Sequence, residues 1–396
     1  MTVHPLSAVG LKTQAVNFQA LPPLSLYIHI PWCVRKCPYC DFNSHEARTE
    51  VPETAYVDAL MRDLEMSLPL IWGRKVYSVF IGGGTPSLFS AQAIEKILSS
   101  VRMLLPLDIN AEITLEANPG TVEAEKFKGF RAAGVNRLSL GIQSFNEAHL
   151  KALGRIHNAD EAHHAVEIAQ SHFDNINLDL MYALPQQTLE EARQDVITAM
   201  KYKPQHLSCY HLTLEPNTLF HRYPPALPDD DASSDMQQSI EALLSEQGYH
   251  HYETSAFAQP HKKSRHNVNY WQFGDYLGIG AGAHSKISSH NAVLRQARYK
   301  QPQTYLDQLA QGVSVQTEQT LSRDDLCFEF MMNALRLNDG FATTLFTERT
   351  SLPLLIVRKE LEVAEQRGLL SRDLQHIAPT ETGRKFLNDL LQIFLR

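Results

Sequence analysis

The residues that most clearly suggest chemistry are three cysteines close together near the N-terminus. Cys33, Cys37 and Cys40 fall within eight residues and follow a short apolar run typical of a strand. Three thiolates with this spacing on a loop can each bind one iron of a [4Fe–4S] cluster, which leaves the fourth iron without a protein ligand. That iron can be chelated by S-adenosylmethionine, and one electron from the cluster then cleaves a carbon–sulfur bond to give a 5′-deoxyadenosyl radical.

Two other interpretations of the triplet remain open on the residues alone. A structural zinc ion can be bound by three thiolates with His45 or Asp41 as the fourth ligand, although zinc ligands usually come as two separated pairs. Three unrelated core cysteines are the other alternative, but buried thiols have no reason to cluster beside Arg35 and Lys36. The spacing therefore favours an iron–sulfur cluster over both.

The composition is that of a globular protein. The chain has 396 residues, of which 43% are hydrophobic and 20% charged, so it can bury a large core. A net charge of -8 argues against non-specific binding to nucleic acid, and five cysteines cannot form a disulfide framework in a chain of this length. No apolar run reaches the ~18 residues that cross a bilayer, and the N-terminus carries no secretion signal. We therefore expect a cytoplasmic protein.

The elements that position these cysteines follow an alternating pattern of predicted strands and helices. Short β-branched runs and amphipathic helical patterns follow one another through the first half of the chain, and Thr188 with Glu191 forms a candidate capping box at the start of one helix. Repeated strand–helix alternation predicts an α/β fold with a parallel sheet, and we favour a six-unit partial barrel over a doubly wound sheet. The candidate strands are residues 24–30, 76–81, 112–117, 137–142, 175–181 and 206–213.

The pattern changes along the chain and divides it into four predicted parts. Residues 1–21 form an N-terminal extension, and residues 22–250 form the partial barrel. Residues 251–303 are a glycine- and aromatic-rich connecting segment. Residues 304–396 are mainly helical, and we expect a smaller C-terminal domain there, with a winged helix as the candidate architecture.

Glycine and polar residues follow several of the predicted strands, at the edge where parallel sheets bind ligands. The turn after the second strand contains Gly83, Gly84 and Thr85. Consecutive glycines let a backbone approach a ligand closely, although about half of such turns are simply tight turns. Glu116 closes the third strand, where a carboxylate pairs well with an ammonium group. Further polar candidates are Gln143, Arg155 and Asp179.

The cysteine triplet resembles the hallmark of the radical S-adenosylmethionine superfamily, and residues 27–42 resemble its oxygen-independent coproporphyrinogen III oxidase group. The resemblance implies a partial (βα)6 barrel and a [4Fe–4S] cluster on Cys33, Cys37 and Cys40. It also implies that the glycine turn contacts the methionine amino group of S-adenosylmethionine. The positions implied for binding of this cofactor are Tyr27, Gly83, Gly84, Thr85, Glu116, Gln143, Arg155 and Asp179.

Two features distinguish branches of this group. Its decarboxylating members carry a fourth cysteine two residues after the triplet, where this chain has Phe42. The segment 266–271, His-Asn-Val-Asn-Tyr-Trp, is similar to the motif of the HemW-like branch, whose members are regarded as haem chaperones. On composition alone a turn histidine beside core aromatic residues is favoured, whereas the resemblance implies haem binding. The residues so implied are His266, Asn267, Tyr270 and Trp271, with His266 as the candidate iron ligand.

We therefore predict a protein that binds haem and delivers it to haem-requiring apoproteins. The resemblance also implies an electron donor for the cluster, and contact with a membrane only through the haem recipients. The alternative function is oxidative decarboxylation of two propionates of coproporphyrinogen III. Because both functions are retained, the sequence leaves open whether the chain is an enzyme. A third hypothesis is a zinc-stabilised binding module, which predicts a colourless protein.

Overall fold

A computed structural model describes residues 16–121 and 124–395, so most of the predicted N-terminal extension lies outside the described residues. One large sheet and one small sheet contain most of the strands. Within the described residues the strands are β1 (Leu24–Ile30), β2 (Trp32–Cys33), β3 (His45–Glu46), β4 (Val76–Gly83), β5 (Leu107–Ala117), β6 (Arg137–Gln143), β7 (Ile176–Tyr182), β8 (His206–His211), β9 (His250–Glu253), β10 (Ala256–Ala258), β11 (Asp275–Ile279), β12 (His284–Ser288), β13 (Val293–Arg298), β14 (Val315–Thr320), β15 (Phe341–Ala342), β16 (Leu370–Arg372) and β17 (His376–Pro379).

Helices connect most of these strands. None of the helices in the described part of the chain is long and apolar enough to span a bilayer. The α-helices of this part are α1 (Glu53–Ile71), α2 (Ala91–Leu104), α3 (Ala124–Ala133), α4 (Glu147–Ala152), α5 (Ala159–His172), α6 (Leu189–Lys201), α7 (Leu219–Arg222), α8 (Asp230–Glu246), α9 (Arg265–Trp271), α10 (Pro302–Ala310), α11 (Arg323–Ala334), α12 (Thr343–Thr350), α13 (Arg358–Gln366), α14 (Glu381–Lys385) and α15 (Leu387–Gln392).

The large sheet has the strand order β14-β13-β12-β11-β1-β4-β5-β6-β7-β8-β10-β9 among the described residues. The strands from β11 to β8 in this order run parallel, and the strands at both ends pair antiparallel. The six predicted strands are confirmed as β1 and β4 to β8. Strand β11 was not predicted, because its Asp-Tyr-Leu-Gly-Ile sequence lies within a glycine- and aromatic-rich segment. It extends the parallel sheet beyond β1.

The sequence patterns explain why the helices pack on this sheet. In α1, the side chains of Tyr56, Leu60 and Leu64 recur at helical spacing, and all three are completely buried. The predicted capping box of α6 is confirmed: the amide of Glu191 donates to Thr188 Oγ1 at 3.3 Å, and the amide of Thr188 donates to Glu191 Oε2 at 2.8 Å. These local signals fix both where the helices begin and which face they bury.

The C-terminal region has a hydrophobic core of its own, built around residues such as Phe330, Phe346 and Leu361. Its elements follow the order α11, β15, α12, α13, β16, β17, α14, α15, and the three strands form a sheet in the order β15-β17-β16. Phe18 and Phe273 also belong to this core, so it packs directly against the larger unit. The winged-helix interpretation and the four domain boundaries stay predictions.

A buried ion pair joins helix α1 to the end of strand β13. Arg298, at the end of β13, donates from Nε to Asp63 Oδ1 in α1 at 3.0 Å, and both side chains are completely buried. Tyr305 donates its hydroxyl to Asp63 Oδ2 at 2.8 Å, and Arg298 Nη2 donates to Ser67 Oγ at 2.9 Å. Since every charged atom here has left water, the pair is stable only while both partners remain.

Loss of one partner should therefore be costly. We expect Arg298→Met to lower the free energy of unfolding by about 3–5 kcal/mol, because the Asp63 carboxylate is left buried without its cation. Urea unfolding of the ligand-free protein, followed by circular dichroism, measures this change. The control is Arg358→Met, which removes an exposed pair with Glu362 and should cost about 0.5 kcal/mol or less. Similar small losses in both variants would contradict a structural role for the buried pair.

Candidate functional site: a cysteine pocket beside an aromatic cavity

The three cysteines of the triplet lie close together after β1. Cys33 ends the two-residue strand β2, and Cys37 and Cys40 lie on the loop that follows it. The amide of Cys40 donates to the carbonyl of Cys37 at 3.1 Å, which closes a turn within the loop. Cys33, Cys37 and Cys40 are half-buried and line one cavity of about 380 Å³, which we call the cysteine pocket. Three cysteines that line a single cavity are a donor set suited to an iron–sulfur cluster.

The surroundings of two thiols favour the protonated form in the absence of iron. Burial raises the pKa of Cys33, and a hydrogen bond with Thr85 partly opposes this effect. Burial also raises the pKa of Cys40, whose sulfur lies 3.7 Å from the hydroxyl of Ser44. Because iron and zinc bind thiolates, metal binding at this loop must release protons.

The glycine turn after β4 is bonded to the start of the cysteine loop. The amide of Gly84 donates to the carbonyl of Ile30 at 2.7 Å, and the amide of Thr85 donates to that of Trp32 at 2.7 Å. Gly83 has a positive φ of 114°, and a Cβ atom there would lie 2.5 Å from the ring of His29. A side chain at this position would collide with the ring of His29 in β1 and push that strand and the turn apart.

Two half-buried carboxyl groups, those of Glu116 and Asp179, line the cysteine pocket from parallel strands. Glu116 Oε2 accepts a hydrogen bond from the amide of Gly83 at 3.0 Å. Burial, and then the charge of Asp179, raise the pKa of Glu116 to about 8. Burial likewise raises the pKa of Asp179, which accepts hydrogen bonds from Ser139 at 3.0 Å and Asn177 at 2.8 Å. Such a pair favours a ligand that brings an ammonium group and hydroxyl groups.

Arg155 supplies the positive charge of the pocket. Its Nη2 donates to Asn118 Oδ1 at 2.6 Å and to the carbonyl of Gly141 at 2.8 Å, while Nη1 lies 3.5 Å from the sulfur of Cys37. Its buried Nε has no hydrogen-bond partner among the residues that the structure describes. An unpartnered donor of this kind fits the carboxylate of a bound ligand.

A larger cavity, of about 680 Å³, adjoins the cysteine pocket. We call it the aromatic cavity, because Tyr27, Tyr270, Trp271 and Tyr276 contribute to its wall. Both cavities are lined by Cys40, Asp41, Phe42, Gly83 and Glu116.

The structure thus brings most of the predicted cofactor residues together. Ten of them line the cysteine pocket, whereas Tyr27 lines the aromatic cavity, where its hydroxyl lies 2.8 Å from His29 Nδ1. The ten are Cys33, Cys37, Cys40, Gly83, Gly84, Thr85, Glu116, Gln143, Arg155 and Asp179. Their assignment as ligands stays a prediction.

The predicted haem-binding motif divides between the cavity wall and the core. Tyr270 and Trp271 line the aromatic cavity, but His266 and Asn267 line neither cavity. His266 is 1% exposed, its Nδ1 lies 3.0 Å from the hydroxyl of Ser78, and its Nε2 lies 3.0 Å from that of Tyr270. Burial lowers the pKa of His266 to about 3, with a smaller effect from Arg137. The predicted role of His266 as iron ligand therefore requires one of these two hydrogen bonds to break, since each ring nitrogen is engaged.

Sequence reasoning did not identify several residues of the aromatic cavity, among them His29, His284, Arg295 and Lys300. A signal for His284 is present, because it follows the glycine-rich segment 278–282 after β11, as the glycine turn follows β4. That signal was overlooked because β11 itself was not predicted. Arg295 lies on β13 and Lys300 follows it, in the antiparallel part of the sheet. Strand–helix alternation in the sequence does not predict this part.

Comparison with known proteins defines the class. Residues 27–197 match the family model of the radical SAM superfamily, and residues 321–386 match that of the HemN C-terminal domain. The structure is similar to that of coproporphyrinogen III oxidase (HemN) from Escherichia coli, with a TM-score of 0.80 and 26% identity over 95% of this chain and 90% of the other. The protein has the radical SAM fold, which confirms the predicted fold class.

Close relatives identify the family within this class. The heme chaperone HemW of Escherichia coli is 48% identical over 377 residues, which cover 95% of this chain and 99% of the relative. The heme chaperone HemW of Haemophilus influenzae is 48% identical over 381 residues, and that of Bacillus subtilis is 32% identical over 380. The chain belongs to the HemW family. Membership in the radical SAM superfamily implies a [4Fe–4S] cluster and S-adenosylmethionine, and the residues of the cysteine pocket fit both.

The raised pKa of Glu116 predicts a pH dependence of stability. The folded, ligand-free protein keeps Glu116 protonated up to about pH 8, whereas the unfolded chain ionises it above about pH 4.5. The unfolded state then binds fewer protons, so the free energy of unfolding should fall as pH rises through this interval. We expect Glu116→Gln to lose this component of the pH dependence in urea titrations.

The control variant is Glu125→Gln, which alters an exposed carboxylate on α3. We expect it to retain the pH dependence of the unaltered protein. The same slope in Glu116→Gln as in the unaltered protein would show that Glu116 is not held protonated by its surroundings.

Proposed function

We propose that the protein is a haem chaperone that binds haem in the aromatic cavity and delivers it to haem-requiring apoproteins. In this proposal Cys33, Cys37 and Cys40 hold a [4Fe–4S] cluster, and S-adenosylmethionine binds beside it in the cysteine pocket. The observation that carries the proposal is the shared wall of the two cavities, to which Phe42 and Glu116 contribute. The names of the HemW relatives support the assignment of haem as the ligand.

The size and lining of the aromatic cavity suit a tetrapyrrole. Cavities of about 300–1,000 Å³ are typical sites for cofactors. This one measures about 680 Å³, and its wall combines aromatic side chains with charged ones such as Lys36, Arg295 and Lys300. Its aromatic side chains include Phe42, Tyr270, Trp271 and Phe273. Flat aromatic rings stack well on a flat macrocycle, so they supply affinity without demanding hydrogen bonds.

Two lysines on the wall of the aromatic cavity match the carboxylates of haem. Lys36 Nζ donates to the carbonyls of Phe42 at 3.1 Å and Ser44 at 3.3 Å, and Lys300 lies against the same segment because its carbonyl accepts from Asn43 at 2.9 Å. Neither lysine forms an ion pair with a carboxylate in the described part of the chain. They therefore remain able to bind the two propionates of haem.

The chain's own residues position the reactants of the radical site. When bound, the cluster supplies the electron that cleaves S-adenosylmethionine to a 5′-deoxyadenosyl radical. Glu116, once ionised, pairs with the ligand's ammonium group, Asp179 accepts from its hydroxyl groups, and Arg155 binds its carboxylate. Phe42 lies between the two cavities and replaces the fourth cysteine of the decarboxylating branch, which favours haem handling over decarboxylation.

The remaining partners follow from this proposal. An electron donor must reduce the cluster, and apoproteins that need haem must receive it. We place the protein in the cytoplasm, with membrane contact only where a recipient is itself bound to a membrane. The similarity in fold to coproporphyrinogen III oxidase keeps decarboxylation of coproporphyrinogen III as the second candidate function.

Haem titration tests the proposal with a matched pair of tryptophan variants. We expect one haem per chain and a dissociation constant that rises about tenfold or more in Trp271→Ala, because a stacking surface is lost. The control is Trp72→Ala, since Trp72 is 81% exposed and lines neither cavity. Absorbance in the Soret region measures binding, and the thermal midpoint of each variant checks its folding. Equal affinity in both variants would place haem outside the aromatic cavity.

A turnover assay separates the two candidate functions. The cluster-loaded protein is incubated anaerobically with coproporphyrinogen III, S-adenosylmethionine and a reductant, and products are quantified by mass spectrometry. The proposal predicts no decarboxylated porphyrin, and transfer of bound haem to an added haem-free acceptor protein. Protoporphyrinogen formed over many turnovers would overturn the chaperone proposal in favour of the enzyme.

A further inference from the structure

The histidines of the aromatic cavity differ in whether a ring nitrogen is available to a metal. His29 and His284 are the histidines in its wall. We propose that His284 is the side chain that binds the haem iron. The inference rests on the proposed function, because it concerns haem bound in the aromatic cavity. It assigns the iron to a different residue from the motif histidine His266.

The packing of His266 argues against a role as iron ligand. Its ring stacks on Phe80 with centroids 5.0 Å apart and meets Tyr270 edge-on at 4.8 Å. Its backbone amide also donates to Glu112 Oε1 at 3.1 Å, which anchors the start of α9 on β5. Since the ring lines neither cavity and each of its nitrogens is engaged, binding iron would require it to move and to give up its hydrogen bond with Ser78 or with Tyr270. The residue instead holds Tyr270 in place at the cavity wall.

His29 lines the cavity but has both ring nitrogens engaged. Nδ1 lies 2.8 Å from the hydroxyl of Tyr27, and Nε2 lies 2.9 Å from the carbonyl of Asn43. The side chain is 5% exposed and lies against the backbone of Gly83. Binding of a metal by His29 would therefore break a contact that holds the cysteine loop.

His284 meets the requirements that the other two histidines fail. It is exposed, it lines the aromatic cavity, and its ring has no hydrogen-bond partner in the part of the chain that the structure describes. As the first residue of β12, it pairs with Ala297 of β13, so its backbone is fixed by the sheet. A free imidazole on a rigid strand is well placed to bind a metal without rearrangement of the protein.

The charges around His284 keep its ring in the form that binds iron. Burial, and then the charges of Lys300 and Arg295, lower its pKa. The imidazole is then neutral at pH 7, and one nitrogen lone pair is free for the metal. Arg295 is itself paired with Glu329 of α11, whereas Lys300 is not paired with a carboxylate among the described residues. Iron ligation and carboxylate binding can therefore occur side by side on this wall.

Comparison of haem with metal-free protoporphyrin IX isolates the contribution of the iron. In the full-length protein we expect His284→Ala to raise the dissociation constant of haem by about tenfold or more, and to leave that of metal-free protoporphyrin IX within about twofold. The Soret band should shift, and added imidazole should restore the original spectrum. The control is His164→Ala, which alters an exposed residue of α5. It should change neither the dissociation constant of haem nor that of metal-free protoporphyrin IX.

A second variant tests the excluded residue. His266→Asn should lower the thermal midpoint but keep the preference for haem over metal-free protoporphyrin IX. An unchanged haem spectrum and affinity in His284→Ala would overturn the inference, as would an equal loss for both porphyrins. If the unaltered protein bound neither porphyrin, the proposed function would fail instead, so the two failures are distinguishable.

Discussion

Backbone hydrogen bonds between the glycine turn and the cysteine loop determine the geometry of both cavities. The amides of Gly84 and Thr85 are bonded to carbonyls of Ile30 and Trp32, and the amide of Gly83 is bonded to Glu116. These contacts join three neighbouring strands, β1, β4 and β5, at the edge where their carboxyl ends meet. The cysteine sulfurs on one side and the aromatic cavity on the other are thereby held at a fixed separation. Loss of this junction would disturb both cavities together.

Much of the fold and of the cysteine pocket follows from the sequence, because its signals are local. Strand–helix alternation predicts β1 and β4 to β8, and short motifs such as the capping box at Thr188 mark where helices begin. The residues of the cysteine pocket lie at the ends of those strands, so their convergence follows once the strands are parallel. Glu116 and Asp179, for example, are far apart in the chain and yet line the same pocket.

The aromatic cavity was harder to predict, because part of its wall comes from strands that no helix follows. His284 and Lys300 reach the cavity through β11, β12 and β13, whose pairing depends on long-range contacts with β1. The sequence also contains no sign of which face of α9 is buried, so it could not separate the core residue His266 from the wall residue Trp271. A motif names a set of residues, and only packing decides which of them face the ligand.

The most direct test is to locate the haem iron relative to the cluster. Anomalous scattering at the iron absorption edge, from crystals of the anaerobically reconstituted protein with S-adenosylmethionine and haem, provides this measurement. We predict a cluster of iron atoms at Cys33, Cys37 and Cys40, and a single separate iron in the aromatic cavity beside His284. A single iron outside that cavity, or none in crystals grown with haem in excess, would contradict a shared site for radical cofactor and haem.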